Sequence, residues 1–278
     1  MKKKRLFPLY IGAVLAVMYV PIFLVILYSF NQSRLSSVWN GFTFRWYAEL
    51  FNDRSMFEAL RNSVVLALVS SFSAAVTGTL GASGMARLRA EAARRQGVRR
   101  VNTAPHRVME YLSILPVMIP EIIMGMTFLA FFSFLALPPG MLTLAIAHTA
   151  FCVPYTYLLV RARLAGMDKS YVEAARILGA GDVRSFRDIT LPLLLPAVVS
   201  GILISFAMSF DDVIVSVFIA GVQTNTLPIK IYSQIKTGVT PKTNAMCTLI
   251  FALTVVLCLV AAALARTGRK NAEHRSGG

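Results

Sequence analysis

Three carboxylic acids, Glu121, Asp211 and Asp212, stand inside long apolar stretches of the sequence. A charged side chain at the centre of a bilayer costs about 3 kcal/mol on insertion scales, so it normally faces an aqueous path or a partner. No Lys or Arg stands inside the same apolar stretches. The acids therefore indicate either a path that attracts a cation or polar contacts with a second membrane protein.

The positions of the acids limit how they can share one path. Neighbouring residues on an α-helix point about 100° apart, so Asp211 and Asp212 cannot both face a narrow path, and we expect one of them to bond to a neighbouring helix. Glu121 is expected in the inner half of its membrane span and the Asp pair in the outer half of another, as a relay for a cation. Phe210 and Tyr232 are candidates for cation–π contacts with an ammonium group.

A polar loop between two apolar stretches carries strong helix signals. Ser170 and Glu173 form a capping box, which predicts a short helix that starts just after Ser170. Gly179 stands where a glycine would end that helix. Asp182 is expected to cap a second short helix that runs to Ile189. These signals predict a rigid helix–turn–helix that lies parallel to the membrane surface.

A compact, capped loop of this kind suits docking to a soluble partner. The small residues Ala174 and Ala175 would allow close approach, and Ile177 and Leu178 could fill a groove on the partner. The alternative is that Glu173 only caps a helix and that the following glycine only turns the chain. Local chemistry alone leaves both readings open.

The sequence lacks the motifs of common active sites. It contains no phosphate-binding GxxxxGK[ST] and no HExxH, CxxC or GxSxG. The three cysteines all fall in apolar stretches and the three histidines are scattered, with His148 expected to bond to a neighbouring helix rather than to a metal. We therefore expect no catalytic residue, no metal site and no cofactor held by this chain.

The composition places the chain in a membrane. Of its 278 residues, 56% are hydrophobic and 15% are charged, and mean hydropathy is +0.64. Soluble domains carry roughly a quarter charged residues, so this chain cannot cover a water-soluble surface. The net charge of +15 would suggest nucleic acid in a soluble protein, but here the charges lie between apolar blocks and reflect membrane topology. We expect no nucleic-acid partner.

Six apolar blocks are long enough to cross a bilayer as helices, which takes about 20 residues each. These blocks are Leu6–Phe30, Asn62–Ala86, Tyr111–Leu137, Met141–Val160, Pro192–Ala220 and Asn244–Ala265. Lys and Arg number 21 in the two termini and the segments 87–110 and 161–190, against seven in the segments 31–61 and 221–243. Because positive residues accumulate on the cytoplasmic side, both termini and the two basic segments are predicted to be cytoplasmic.

The loop also carries the pattern that points to a family. Seven specified positions fall within twenty residues: Glu173, Ala174, Ala175, Gly179, Ile189, Leu191 and Pro192. This pattern resembles the EAA motif of ABC importer permeases, in which the loop is a coupling helix that seats in a cleft on the ATPase and transmits nucleotide-driven closure. The resemblance implies an all-α membrane protein of six transmembrane helices, with a type I (MetI-like) permease core and an extra N-terminal helix.

Further stretches resemble the second permease subunit of spermidine/putrescine transporters, notably 28–31, 148–154, 209–212 and 227–232. The resemblance implies an ATP-driven polyamine importer in the bacterial inner membrane, in which this chain forms half of the translocation path. It also implies the partners: a different permease subunit, two copies of an ATPase that binds ATP and magnesium, and a solute-binding protein outside the membrane.

The same reading divides the chain and leaves two alternatives. Residues 1–61 would form the N-terminal helix and an aromatic outer segment, 62–265 the permease core with the coupling helix at 170–190, and 266–278 a basic cytoplasmic tail. One alternative is an ABC importer permease for another small solute, such as an aminophosphonate. The other is a stand-alone channel or secondary transporter, for which the sequence offers no clear internal repeat.

Overall fold

A computed structural model describes residues 3–34, 38–96, 104–168, 170–222, 224–256 and 259. These residues form helices and connecting turns and contain no β-strand beyond one isolated bridge. The elements are α1 (Lys3–Tyr28), α2 (Arg45–Phe51), α3 (Arg54–Gln96), α4 (Ala104–Met118), α5 (Glu121–Phe134), α6 (Met141–Ala165), α7 (Ser170–Ile177), α8 (Asp182–Ser185), a π-helical turn (Phe186–Thr190), α9 (Leu191–Asp211), α10 (Ile214–Ile219), α11 (Leu227–Thr237) and α12 (Pro241–Val256). The all-α prediction is confirmed.

Four unbroken helical segments in the described part of the chain are long and apolar enough to cross a membrane: 10–28, 54–91, 141–165 and 182–211. They cover the predicted first, second, fourth and fifth spans. The helix of the sixth predicted block, α12, covers 241–256, and most of the remainder of that block lies outside the described residues.

The third predicted span is bent, which differs from the straight helix expected over 111–137. Its two halves, α4 and α5, meet at an angle of 111°. Pro120 stands at the break with φ −55° and ψ 134°. A proline has no N–H to continue the helix and forces the residue before it away from helical geometry. The break leaves Glu121 as the first residue of α5.

The fifth predicted span, 192–220, begins earlier and ends earlier than expected. The helical path from Asp182 continues through the π-helical turn into α9 and stops at Asp211. Asp212 is extended, with ψ 126°, and the short α10 follows. Because Pro192 lacks an N–H, the turn before it loses one backbone hydrogen bond and widens to the π register, in which Leu191 N–H reaches the Phe186 carbonyl.

Contacts divide the chain into two units, residues 57–230 and residues 1–56 with 231–278. The apolar core of the first unit joins α3, α5, α6 and α10 through residues such as Leu66, Phe132, Leu144 and Val215. The backbones of α6 and α9 approach closely at Gly201. A Cβ added at this glycine would lie only 2.8 Å from Thr156 Oγ1. This packing fixes the helices that carry the candidate site.

The second unit is organised by an aromatic segment and by the ion pair between Lys242 and Asp53. Trp46 is buried and its indole N–H donates to the Asn31 carbonyl at 2.6 Å, while the rings of Phe30 and Phe42 stack 4.9 Å apart. Lys242 Nζ lies 2.5 Å from Asp53 Oδ2. Burial opposes ionisation of Asp53, but hydrogen bonds from Lys242, Ser55 and the Met56 amide outweigh it and lower the pKa of this carboxyl.

Candidate functional site

The three membrane acids meet at one cavity of about 310 Å³ in the unit 57–230. Glu121 reaches it from the start of α5, and Asp211 and Asp212 reach it from the end of α9. The apolar part of the lining includes Phe151, Met124 and Met208, with Pro116, Val117, Ile119, Val213, Ile214 and Val215. The relay expected at two separate levels is thus one site, because the breaks at Pro120 and Asp212 bring two interrupted spans together.

The two neighbouring aspartates have different surroundings. Asp211 is exposed on the described chain, whereas the side chain of Asp212 is only 6% exposed. Asp212 accepts hydrogen bonds from the amides of Val215, at 3.3 Å, and Ser216, at 2.8 Å, and from the Ser216 hydroxyl at 2.7 Å. One aspartate, Asp212, is thus bonded within the protein, but its three hydrogen bonds come from α10, which follows in the same predicted span, whereas a bond to a neighbouring helix was expected.

His148 completes a buried polar network beside the cavity. Its side chain is fully buried on α6, with Nδ1 2.8 Å from Ser209 Oγ and Nε2 3.0 Å from Ser216 Oγ. Nε2 also lies 3.5 Å from Asp212 Oδ2. The prediction that His148 bonds to a neighbouring helix is confirmed. The sequence contained no signal for its proximity to Asp212.

Of the two residues predicted to contact a cation, Phe210 lies in the same unit as the cavity but is not part of its lining. Phe210 stacks on Phe206 with ring centres 5.8 Å apart. Tyr232 lies on α11, where the ammonium group of Lys236 sits 4.7 Å from its ring centre. The aromatic residues that do line the cavity are Phe151 and Tyr155, on the face of α6 that also carries His148. Sequence reasoning missed both of them, because no charge marks that face.

The polar loop folds largely as its sequence predicts. Its first helix is α7, and Gly179 has a φ of +80°. The amide of Ala180 donates to the Ala175 carbonyl at 2.9 Å and that of Gly179 to the Arg176 carbonyl at 3.0 Å, which is the Schellman arrangement that ends a helix at a glycine. At the other end, the Asp168 carboxylate accepts from the Ser170 amide at 2.9 Å.

The hydrogen bond between Asp168 and Ser170 corrects the prediction that Ser170 and Glu173 form a capping box. It also changes the ionisation of Asp168. Asp168, two residues before Ser170, supplies the cap acceptor. Hydrogen bonds from the Ser170 backbone and side chain lower the pKa of the Asp168 carboxyl. The carboxylate therefore stays ionised at the N-terminus of α7, where a negative charge is favourable.

Asp182 also differs from its predicted role. Gly181 is the N-cap of α8, and the Asp182 carboxylate instead pairs with Arg176 of α7 at 3.0 Å. The Asp182 carbonyl accepts from Arg87 of α3 at 2.8 Å. The second helix is not a separate surface helix but the start of the long helical path into α9. The loop is therefore tied to two spans.

The predicted coupling residues are distributed over several surfaces. Glu173 and Ala174 are exposed on α7 and Ala175 is buried, at 6% exposure. Ile177 and Leu178 are 86% and 87% exposed at the end of α7. Ile189 and Leu191 are half-buried where the π-helical turn meets α9, and Pro192 is exposed. A cavity of about 480 Å³ lies behind α7, lined by Glu173 with α3, α6 and α8.

One charge cluster was not predicted. Glu110 of α4 pairs with Arg89 of α3 and with Arg161 of α6 through its two carboxylate oxygens. A single carboxylate thereby joins three helices at one end of the bent span. Its only signal in the sequence is an acid in a basic segment, which does not identify its partners.

Comparison with known proteins identifies the family. Residues 92–267 match the family model of the binding-protein-dependent transport system inner membrane component. The chain belongs to this family. It is 38% identical over 253 residues to the spermidine/putrescine transport system permease protein PotC of Haemophilus influenzae, which covers 91% of this chain and 93% of that protein. It is 34% identical over 250 residues to the putrescine transport system permease protein PotI of Escherichia coli, with 88% and 85% covered.

Solved structures show the same fold. A bacterial ABC transporter involved in import of the acidic polysaccharide alginate matches with a TM-score of 0.69 and 15% identity over 94% of this chain and 98% of that chain. The MetNI methionine ABC transporter matches with a TM-score of 0.59 and 18% identity over 75% and 95%. The expected ABC importer permease fold, in a multi-pass inner-membrane protein, is confirmed.

Proposed function

We propose that this chain is the permease subunit of an ATP-driven importer of polyamines such as spermidine and putrescine. The observation that carries the proposal is the cavity where Glu121, Asp211 and Asp212 converge. Among the residues that the structure describes, its lining contains these three acids and no base. The two relatives named above are permeases of spermidine/putrescine and putrescine transport systems. An acid-lined cavity suits that class of substrate.

The lining of the cavity suits both the ammonium groups and the methylene groups of a polyamine. Ammonium groups lose water on entering a membrane protein, and a carboxylate replaces that hydration with a favourable charge interaction. Methylene groups between the ammonium groups need apolar walls, which Met124, Phe151 and Met208 provide. Phe210 lies outside this lining, and Tyr155 and Phe151 would supply cation–π contacts there. The contact predicted for Tyr232 stays a prediction.

The proposed mechanism is alternating access driven from outside the chain. One of the two ATPase subunits, which bind ATP and magnesium, would seat on the exposed apolar end of α7 and on Glu173 and Ala174. Closure of the ATPases would push α7. Because Asp182 pairs with Arg176 of α7, accepts from Arg87 of α3 and begins the helical path into α9, the push would reach these two spans. Ala175, Gly179, Ile189, Leu191 and Pro192 would keep the shape of the loop.

The complete transporter would contain this chain and a different permease subunit, each forming half of the path. A solute-binding protein would deliver the polyamine from outside. The basic segments 87–110 and 161–190 and both termini would be cytoplasmic. The domain boundary between residues 61 and 62 would separate the added first helix from the permease core, and the boundary between residues 265 and 266 would separate the core from the tail.

A reconstituted complex tests the proposal against its alternatives. The complex would be placed in proteoliposomes with the binding protein and ATP, and uptake of labelled spermidine, putrescine and an aminophosphonate would be measured. We expect ATP-dependent uptake of the polyamines alone. Uptake by the isolated chain without ATP would indicate a channel or secondary transporter, and preference for the aminophosphonate would indicate a different substrate class.

A further inference from the structure

The hydrogen-bonding capacity of Asp212 is largely used by its own chain. Oδ1 accepts from the Val215 amide, and Oδ2 accepts from both the amide and the hydroxyl of Ser216. The side chain is 6% exposed. An ionised carboxylate only accepts hydrogen bonds, and three donors already occupy it. Little of Asp212 is left for an ammonium group.

His148 is joined to this carboxylate by a chain of hydrogen bonds with one direction. The single proton of the Ser216 hydroxyl goes to Asp212 Oδ2, so the contact at 3.0 Å requires His148 Nε2 to donate to Ser216. Nδ1 of a neutral imidazole is then an acceptor, and the Ser209 hydroxyl, 2.8 Å away, donates to it. The hydrogen bonds therefore run from Ser209 to His148, from His148 to Ser216 and from Ser216 to Asp212. This series links α9, α6 and α10.

The network lies where a membrane helix is interrupted. The first amides of α10 lack helical partners, and in apolar surroundings an unsatisfied backbone group costs several kcal/mol. Asp212 satisfies two of those amides. Because Asp212 is turned toward α10, Asp211 is the aspartate left exposed at the cavity.

We infer that Asp212 and His148 are positioning residues that hold the break between α9 and α10, and that Asp211, with Glu121, supplies the charge that meets the ammonium groups of the substrate. This inference rests on the proposed function. The two adjacent aspartates have separate tasks: one fixes the backbone and the other faces the cargo.

Substitutions of His148 test the network in the complete transporter, with partner permease, ATPase and binding protein. His148→Gln keeps one donor and one acceptor, whereas His148→Leu fills the space without hydrogen bonds. We expect His148→Leu to lower maximal spermidine uptake at least fivefold and His148→Gln to stay within twofold of wild type. Equal loss in both variants, with the ATPase still co-purifying, would overturn the inference.

Double variants separate positioning from cargo contact. His148→Leu combined with Asp212→Asn should be no worse than twofold below the lower single variant, because both changes break one network. His148→Leu combined with Asp211→Asn should multiply the two losses. A multiplied loss in the first pair would overturn the inference.

Thiol protection supplies a readout that packing alone does not change. In a chain whose native cysteines are replaced, Asp211→Cys should react with a cationic methanethiosulfonate, and spermidine should slow that reaction at least fivefold. Asp212→Cys should show no such protection. Protection at position 212 instead of 211 would overturn the inference and leave the proposed function standing. Protection at neither position would overturn both.

Discussion

Asp211 and Asp212 are adjacent in the chain and line one cavity with Glu121, yet the two aspartates have different surroundings. The sequence identifies Glu121, Asp211 and Asp212 as costly membrane acids, because that follows from composition and the bilayer alone. It does not separate Asp211 from Asp212, since the difference depends on His148 and Ser216, which are distant in the chain. Gly179 was predictable because its signal is local: an apolar helix pattern that ends at a glycine.

Asp53 gives a prediction for pH dependence. Its pKa is held below the ordinary value of 3.8, because hydrogen bonds from Lys242, Ser55 and Met56 outweigh the effect of burial. The ionised group therefore stabilises the fold above that ordinary value and loses its contribution as pH falls through the lowered pKa. Asp53→Asn should lower the melting temperature equally at pH 7 and pH 5, and less at pH 3. A deficit that grew on acidification would contradict this assignment.

Gly179 and Gly181 offer a matched pair of substitutions. Gly179 has a φ of +80°, where an L-residue costs about 1 kcal/mol, while Gly181 has a φ of −67° and no atom within 4 Å of an added Cβ. Gly179→Ala should loosen the end of α7 and reduce ATP-driven uptake severalfold, and Gly181→Ala should leave it unchanged. Measurement of ATPase activity and uptake in the same vesicles checks this. Equal losses of uptake in the two variants would show that the left-handed turn at Gly179 is not required for ATP-driven uptake.

At the scale of elements, the sequence predicts helices well and their interruptions unevenly. The bend between α4 and α5 lies at Pro120, so a proline in the sequence signals it, although a straight span was expected there. The break at Asp212 has no proline or glycine, and side-chain capping from the same residue supports it. The π-helical turn before Pro192 likewise depends on a missing N–H whose consequence only the folded helix reveals.

The contact between α6 and α9 gives a prediction for stability. An added Cβ at Gly201 would lie 2.8 Å from Thr156 Oγ1 and 3.1 Å from its Cα, whereas Gly84 has no atom within 4 Å of an added Cβ. Overpacking of this kind costs about 1–3 kcal/mol. Gly201→Ala should lower the melting temperature of the detergent-solubilised complex by several degrees, and Gly84→Ala should not lower it. If the two variants melted alike, the helices would not approach so closely.

At the scale of the whole molecule, composition and the EAA pattern were enough to predict the class of protein. Charge asymmetry between segments predicts topology, and seven motif positions in one loop predict the family. What could not be predicted is how two interrupted spans converge on one cavity, because that depends on the packing of α5, α6 and α10. The same packing placed Phe151 and Tyr155, and not Phe210, in the lining that holds the acids.

The exposed end of α7 gives a prediction for assembly. Ile177 and Leu178 are 86% and 87% exposed, and apolar side chains so exposed on a short rigid loop are suited to a partner's groove. Ile177→Glu with Leu178→Glu should insert in the membrane but lose the ATPase on purification, while Leu178→Met should retain it. Retention of the ATPase by the double variant would place the docking surface elsewhere.

The most direct test of the proposed polyamine path is substrate uptake by the double variant Glu121→Gln and Asp211→Asn. Both substitutions preserve side-chain size and remove the charges that face the cavity. With the partner permease, ATPase and binding protein present, we expect spermidine uptake to fall at least tenfold while the complex still assembles. Uptake at the wild-type rate in an assembled complex would contradict the proposed path.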